Sequence, residues 1–246
     1  MSSSARIGLV LALLSSVVTA EAGDISEHRI LGFSPNGSVF AFEEFGVQDG
    51  SGFPYANIYV VDTNTDSWVP GSPVRVRIDE ETAPLSMARA QARQQAAPIL
   101  EQFAVEDRAL TLAANPLGEL GADPVSVDFG QPFPANPLRD IDRRYNASLD
   151  IYDAETPGEA CETYIGDKPK GFRLTLRNLA TGVETVLHED VQIPQSRGCP
   201  ITYRIDAVTV PDGYPADKVA VVMSIFQPGF EGPQRRFLAV TGDLPR

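Results

Sequence analysis

The chain has 246 residues, with 33 acidic against 20 basic side chains and a formal charge of −13. A surface this acidic repels phosphate backbones and anionic lipid, which argues against nucleic-acid binding and against docking on a membrane surface. Glycine and proline number 20 each, and most apolar segments are short, a pattern that favours strands joined by many turns.

The N-terminus opens with Arg6, followed by an apolar run over residues 7–18 that only Gly8, Ser15 and Ser16 interrupt. Ala20-Glu21-Ala22 then forms a small-x-small site before Gly23. This order predicts a secretory signal peptide over residues 1–22, cleaved to leave a mature chain over 23–246. The run is shorter than the roughly 20 apolar residues that cross a bilayer. No later stretch qualifies either, since the most apolar, 219–226, has only strand length. Removing Arg6 and Glu21 together leaves the formal charge unchanged.

In the mature part, Ser34-Pro35-Asn36-Gly37 reads as a tight reversal, because Asn-Gly favours positive φ. Strands are expected over 39–43 and over 58–62, the second dense in β-branched and aromatic residues. Residues 74–78 alternate Val, Arg, Val, Arg, Ile, which predicts a half-buried strand with one wet face. From about 84 to 114 the period changes. Leu85, Ala88, Ala92, Ala96, Ile99, Leu100 and Phe103 recur mostly at three- and four-residue steps, predicting an inserted helix. Thr82 is its expected cap, and Pro98 is expected to kink or end it. A second short helix is expected over about 105–114. A Pro- and Gly-rich connection over 115–140 holds one strand at 125–129. Further strands are expected over 147–152, 172–178, 184–188, 203–210, 219–226 and 236–241.

Turn, strand, Gly/Pro-rich loop and strand occur in the same order near both ends of the mature chain. The first loop is Gln48-Asp49-Gly50-Ser51-Gly52-Phe53-Pro54 and the second Gln227-Pro228-Gly229-Phe230-Glu231-Gly232-Pro233. This suggests a duplication that would set the two loops at related positions. The expected fold is therefore mainly β (α+β): two packed antiparallel sheets, or two blade-like β units, with one inserted α-helix in a single domain over 23–246. Cys161 and Cys199, an even count in an exported chain, are expected to form one disulfide. Closing a loop of about 39 residues, it would contribute roughly 3–4 kcal/mol.

Two resemblances add to this reading. Leu31-Gly32-Phe33-Ser34-Pro35-Asn36-Gly37, with the later Ile58-Tyr59-Val60-Val61-Asp62, looks like a β-propeller blade of the TolB or WD40-like type. A propeller needs at least four blades, and the chain offers two such units at most. The stretch from Phe40-Ala41-Phe42-Glu43-Glu44-Phe45 through Gly50-Ser51-Gly52-Phe53-Pro54-Tyr55 is similar to the DUF2259 family of predicted secreted bacterial proteins. So are Arg197-Gly198-Cys199-Pro200 and Phe226-Gln227-Pro228-Gly229-Phe230-Glu231-Gly232-Pro233. That resemblance implies export, to the periplasm in a diderm host, and supplies no catalytic residue.

Few motifs carry chemistry. His28 and His188 are the only histidines, too few for a typical zinc catalyst, and no metal or cofactor is expected. Asp62-Thr63-Asn64-Thr65-Asp66 resembles the start of an EF-hand loop, but Ser67 and Pro73 stand where Gly and the bidentate Glu belong, so it reads as a hairpin turn. No nucleophile elbow occurs; Ser51 lies between glycines in a flexible loop. Glu43 and Glu44 are adjacent on a strand, so only one of them can enter a given cleft. The candidate ligand- or partner-binding residues are Asp49, Phe53, Tyr55, Phe230 and Glu231 on the two loops and their flanks. Aromatics there can stack on sugars or anchor a partner protein, and Trp68 belongs to the same class. The leading expectation is a non-enzymatic binding or interaction protein of the cell envelope, its partner an envelope protein or a glycan. A glycosidase-like hydrolase using Asp49 and Glu231 is the alternative, with the two acids roughly 5–10 Å apart across a cleft. A structural accessory subunit is the third.

Overall fold

The computed structural model describes residues 23–137, 141–156, 161–229 and 232–246. The expected signal peptide, Phe230 and Glu231 lie outside the described residues. The fold is mainly β, as expected, and its strands form three antiparallel sheets instead of two.

The first sheet contains β1 (Glu27–Phe33), β2 (Val39–Val47) and β3 (Pro54–Asp62), with β4 (Ser67–Trp68) and β5 (Val74–Arg77) both paired to the outer edge of β3. Helix α1 (Leu85–Gln102) follows. The chain then enters the third sheet with β6 (Ala109–Ala114), and passes to the second with β7 (Ser126–Pro132) and β8 (Ile141–Asp153). After the short helix α2 (Cys161–Ile165) come β9 (Lys170–Asn178) and β10 (Glu184–Glu189), completing the second sheet in the order β10-β9-β8-β7. Finally β11 (Thr202–Pro211), β12 (Lys218–Pro228) and β13 (Pro233–Asp243) complete the third, ordered β13-β12-β11-β6.

The layers stack as helix, first sheet, third sheet, second sheet. Alternating residues along the strands make this possible. Ala56, Ile58 and Val60 of β3 face α1, where they meet the buried Ala88, Ala92 and Ala96. Alanine at four-residue steps lets the helix lie close to the sheet. Phe40 and Phe42 of β2 point the other way, toward Ala220, Val222 and Phe237 of the third sheet. On β12 the odd-numbered Val219, Val221, Met223 and Ile225 turn to the second sheet, against Phe172, Leu174 and Leu176. Strand β12 is therefore buried on both faces, which explains why it reads as an unbroken apolar run instead of an alternating one.

The reversal at residues 34–37 forms as expected: Gly37 at φ 71° donates to Ser34 O (2.8 Å), and Ser34 Oγ accepts from Val39 N (2.9 Å). Gly32, at φ 122°, has no room for a side chain, because a Cβ there would lie 1.7 Å from Glu106 O. The two similar segments become two three-stranded meanders, β1-β2-β3 and β11-β12-β13. Their first turns are neighbours: a Cβ on Gly37 would come within 2.9 Å of Pro211.

Three local expectations change. Residues 109–114 form a strand instead of a second helix. Ala104, at φ 49°, turns the chain after α1, and pairing with β11 from Ala109↔Pro211 to Ala114↔Ala207 overrides the local helix preference. Pro98 does not end α1; it lies on the exposed side near Gln94 and Gln95, where water can take the carbonyl it leaves unpaired. Thr82 does not cap the helix. It donates to Glu80 instead (2.9 Å), and Pro84 occupies the cap position without a side-chain bond. The expected bridge between Cys161 and Cys199 is present, with 5.4 Å between the Cα atoms. No helix among the described residues is long and apolar enough to cross a membrane.

Candidate functional site

The first and third sheets splay apart beyond Phe42 and Phe237 and leave a cleft of about 640 Å³. Strands β2, β3, β4 and β5 form one wall, β13 and the end of β12 the other, and the segment after β10 closes one side. The period of two decides which residues enter. Tyr55, Asn57 and Tyr59 of β3 line the cleft, whereas Ala56 and Ile58 between them face α1. Arg75 and Arg77 of β5 likewise enter, so the wet face legible in the Val-Arg-Val-Arg alternation is a wall of this cleft.

Glu43 and Glu44 divide between the two faces of β2. Glu43 is fully buried beneath α1 and accepts from Arg89 (3.0 and 2.8 Å) and Arg93 (2.7 Å). Burial alone would raise its carboxyl, but the two guanidiniums hold it below the ordinary glutamate range. Glu44 enters the cleft wall. It accepts from Phe237 N (2.7 Å) and Asn57 Nδ2 (2.9 Å), and its nearest arginine, Arg236, stands 4.0 Å away. Burial dominates there, and the carboxyl is pushed up.

Of the sequence-predicted site residues that are described, Tyr55 and Trp68 line the cleft, and Asp49 and Phe53 do not. The hydroxyl of Tyr55 donates to Asp24 (3.0 Å) and lies 2.7 Å from Ser26 Oγ, while the Arg236 guanidinium stacks 4.6 Å from its ring centre. Arg236 also donates to Asp24 (2.7 Å). Burial raises the Asp24 carboxyl despite these contacts. Phe53 stands at the edge of this wall, with Arg77 5.9 Å above its ring. Asp49 lies in the β2–β3 turn; its Oδ2 is buried without a hydrogen-bond partner among the described residues, and its charge bears on Asp24. Glu231, the expected partner of Asp49 in a carboxylate pair, lies outside the described residues.

Other lining residues come from outside the two loops. Trp68, on the two-residue strand β4, is 47% exposed, and Arg75 lies over its ring at 5.6 Å. Asp66, in the hairpin turn, accepts from both Thr241 N (2.7 Å) and Thr241 Oγ1 (2.9 Å), tying the first sheet to β13. Burial raises its carboxyl. His188 comes from the second sheet, stacked on Phe172 at 4.8 Å, with Nε2 2.9 Å from Asp190. Arg197 donates to the same carboxylate (2.5 Å). Burial would raise Asp190, but His188 and Arg197 hold it below the ordinary range. Arg197 sits on the 3-10 turn Gln195–Arg197, two residues before the disulfide-bonded Cys199. Its carbonyl accepts from Gln227 Nε2, so this rim is fixed covalently on one side and by hydrogen bonding on the other. These residues are widely separated in sequence, and only the stacking of sheets brings them together.

A family model described as a predicted secreted protein (DUF2259) matches residues 41–243. No curated protein matches the chain. The match spans β2 to β13 and so includes every strand of the cleft.

Proposed function

The chain belongs to the DUF2259 family of predicted secreted proteins, and from that premise we propose that it is a non-enzymatic binding protein of the cell envelope, exported with loss of residues 1–22, periplasmic in a diderm host, that holds a small ligand between its first and third sheets. The observation that carries this reading is the cleft itself. Its volume, about 640 Å³, falls within the roughly 300–1,000 Å³ of small-molecule sites. Aromatic rings and hydrogen-bonding side chains converge in it, among them Tyr59, Trp68, Asn57 and Gln227. Its acids are already occupied: Glu44 and Asp66 accept from backbone amides, and Asp190 behind His188 is held by an arginine. Such groups shape and support a binding wall. Phe53, just before β3, stands at the edge of this wall, and Tyr55 on β3 is buried within it.

Trp68 is the only tryptophan of the chain, so intrinsic tryptophan fluorescence reports on the cleft alone. Titrating the purified mature protein with size-fractionated small-molecule and glycan extracts of the cell envelope is expected to shift that emission saturably. Substituting Tyr59→Ala should weaken the response. Unchanged emission across all fractions would overturn the assignment of the cleft as the binding site.

A further inference from the structure

Within the binding reading above, we infer that the ligand is an acidic saccharide, one whose sugar ring lies against Trp68 and whose carboxylate is taken by Arg75. The inference rests first on an inversion of charge. The chain as a whole is strongly acidic, yet the cleft is lined by four arginines, Arg75, Arg77, Arg197 and Arg236, against two acids, Glu44 and Asp66. Both acids are turned into backbone amides, and burial pushes both carboxyls toward the neutral form.

The arginines are not equivalent. Arg197 is committed to Asp190 (2.5 Å), Arg236 to Asp24 (2.7 Å) and Arg77 to Asp79 (2.6 Å). Arg75 makes no ion pair among the described residues. It lies exposed on β5 over the half-exposed ring of Trp68, beside the Tyr59 phenol. A guanidinium without a carboxylate partner, fixed over an aromatic ring, is preorganised to take a planar anion through two parallel hydrogen bonds. The neighbouring Trp68 and Tyr59 rings offer apolar faces for a sugar ring, and Asn57 and Gln227 offer amides for its hydroxyls. The net negative charge elsewhere disfavours long polyanions, which would have to run along the acidic surface, so a short acidic oligosaccharide fits better than a polymer.

The test is a Trp68 fluorescence titration with trigalacturonate and with its fully methyl-esterified form, which keeps the rings and removes the charge. The acid is expected to bind at least about tenfold more tightly than the ester, with the preference falling as salt rises. Arg75→Gln should abolish that preference, and Arg75→Lys should retain part of it. Arg75 is exposed, so both variants should keep the parent melting temperature and far-UV circular dichroism. Equal affinity for acid and ester, or an acid preference that survives Arg75→Gln, would overturn the inference while leaving the cleft as a binding site. Silence toward both probes would also overturn it, and the envelope-fraction titration would then decide separately whether the cleft binds anything.

Discussion

The two faces of the first sheet are made from alternate residues of the same strands, yet one is sealed and the other is open. On the sealed face, Ile58 and Val60 pack against an alanine stripe of α1, and Glu43 is neutralised by Arg89 and Arg93, with Arg89 also stacked 3.6 Å from the ring centre of Phe45. On the open face, Tyr59 and Arg75 look into a cleft, and Glu44, one residue from Glu43, is held by amides with only a distant arginine. Both side chains are almost closed to solvent, 0% and 2% exposed, but Glu44 lies deeper in the protein and lacks a close arginine, so its carboxyl is moved up while that of Glu43 is moved down. What covers a sheet face thus decides the chemistry of residues that the local sequence treats alike.

The contrast can be broken most severely on the sealed face. Ile58→Ala removes a fully buried side chain from under α1, and the expected loss is about 2–5 kcal/mol, read by urea denaturation. Next in size is Glu43→Gln. It leaves two guanidiniums facing an uncharged amide, and because both arginines retain access to water the expected loss is about 1–3 kcal/mol in the same measurement.

The smallest effect, and the sharpest test of the contrast, is in pH dependence. The Glu43 carboxyl titrates below its ordinary value, so its contribution is complete above the ordinary glutamate pKa and disappears as pH falls through the lower folded value. The Glu44 carboxyl titrates above its ordinary value. The folded chain therefore holds that proton more tightly than the unfolded chain, and stability from this group rises as pH falls from neutrality toward the ordinary range. Unfolding free energies measured from about pH 7 down to about pH 2 should show Glu44→Gln losing part of that rise. Glu43→Gln should instead lose part of the decline at the acid end. Identical pH profiles for the two variants would show that the faces are electrostatically alike.

Much of the β-architecture is legible in the sequence. The Asn-Gly reversal, the Arg-Val alternation of β5 and the alanine periodicity of α1 each state a local geometry, and each forms. The cysteine pair similarly anticipates its bridge. β1 is harder to read, because Glu27, His28 and Arg29 give it a polar start at a sheet edge. The segment over 109–114 has the composition of a helix and becomes a strand because β11 offers it an edge. Of the expected site residues, Tyr55 lines the cleft and Phe53 stands at its margin, while Trp68, named as a possible stacking residue, becomes part of its wall.

The sequence by itself determined the period of each strand, the positions of the turns, the acidic surface, and the fact that Glu43 and Glu44 must part to opposite faces, since all of these follow from backbone geometry and composition over a few residues. Only the tertiary structure decided which face would be covered, by α1, and which would open as a cleft. It alone brought Arg75, Arg197 and Arg236 to one place, because their meeting depends on how three sheets from distant parts of the chain stack, and no local pattern encodes that.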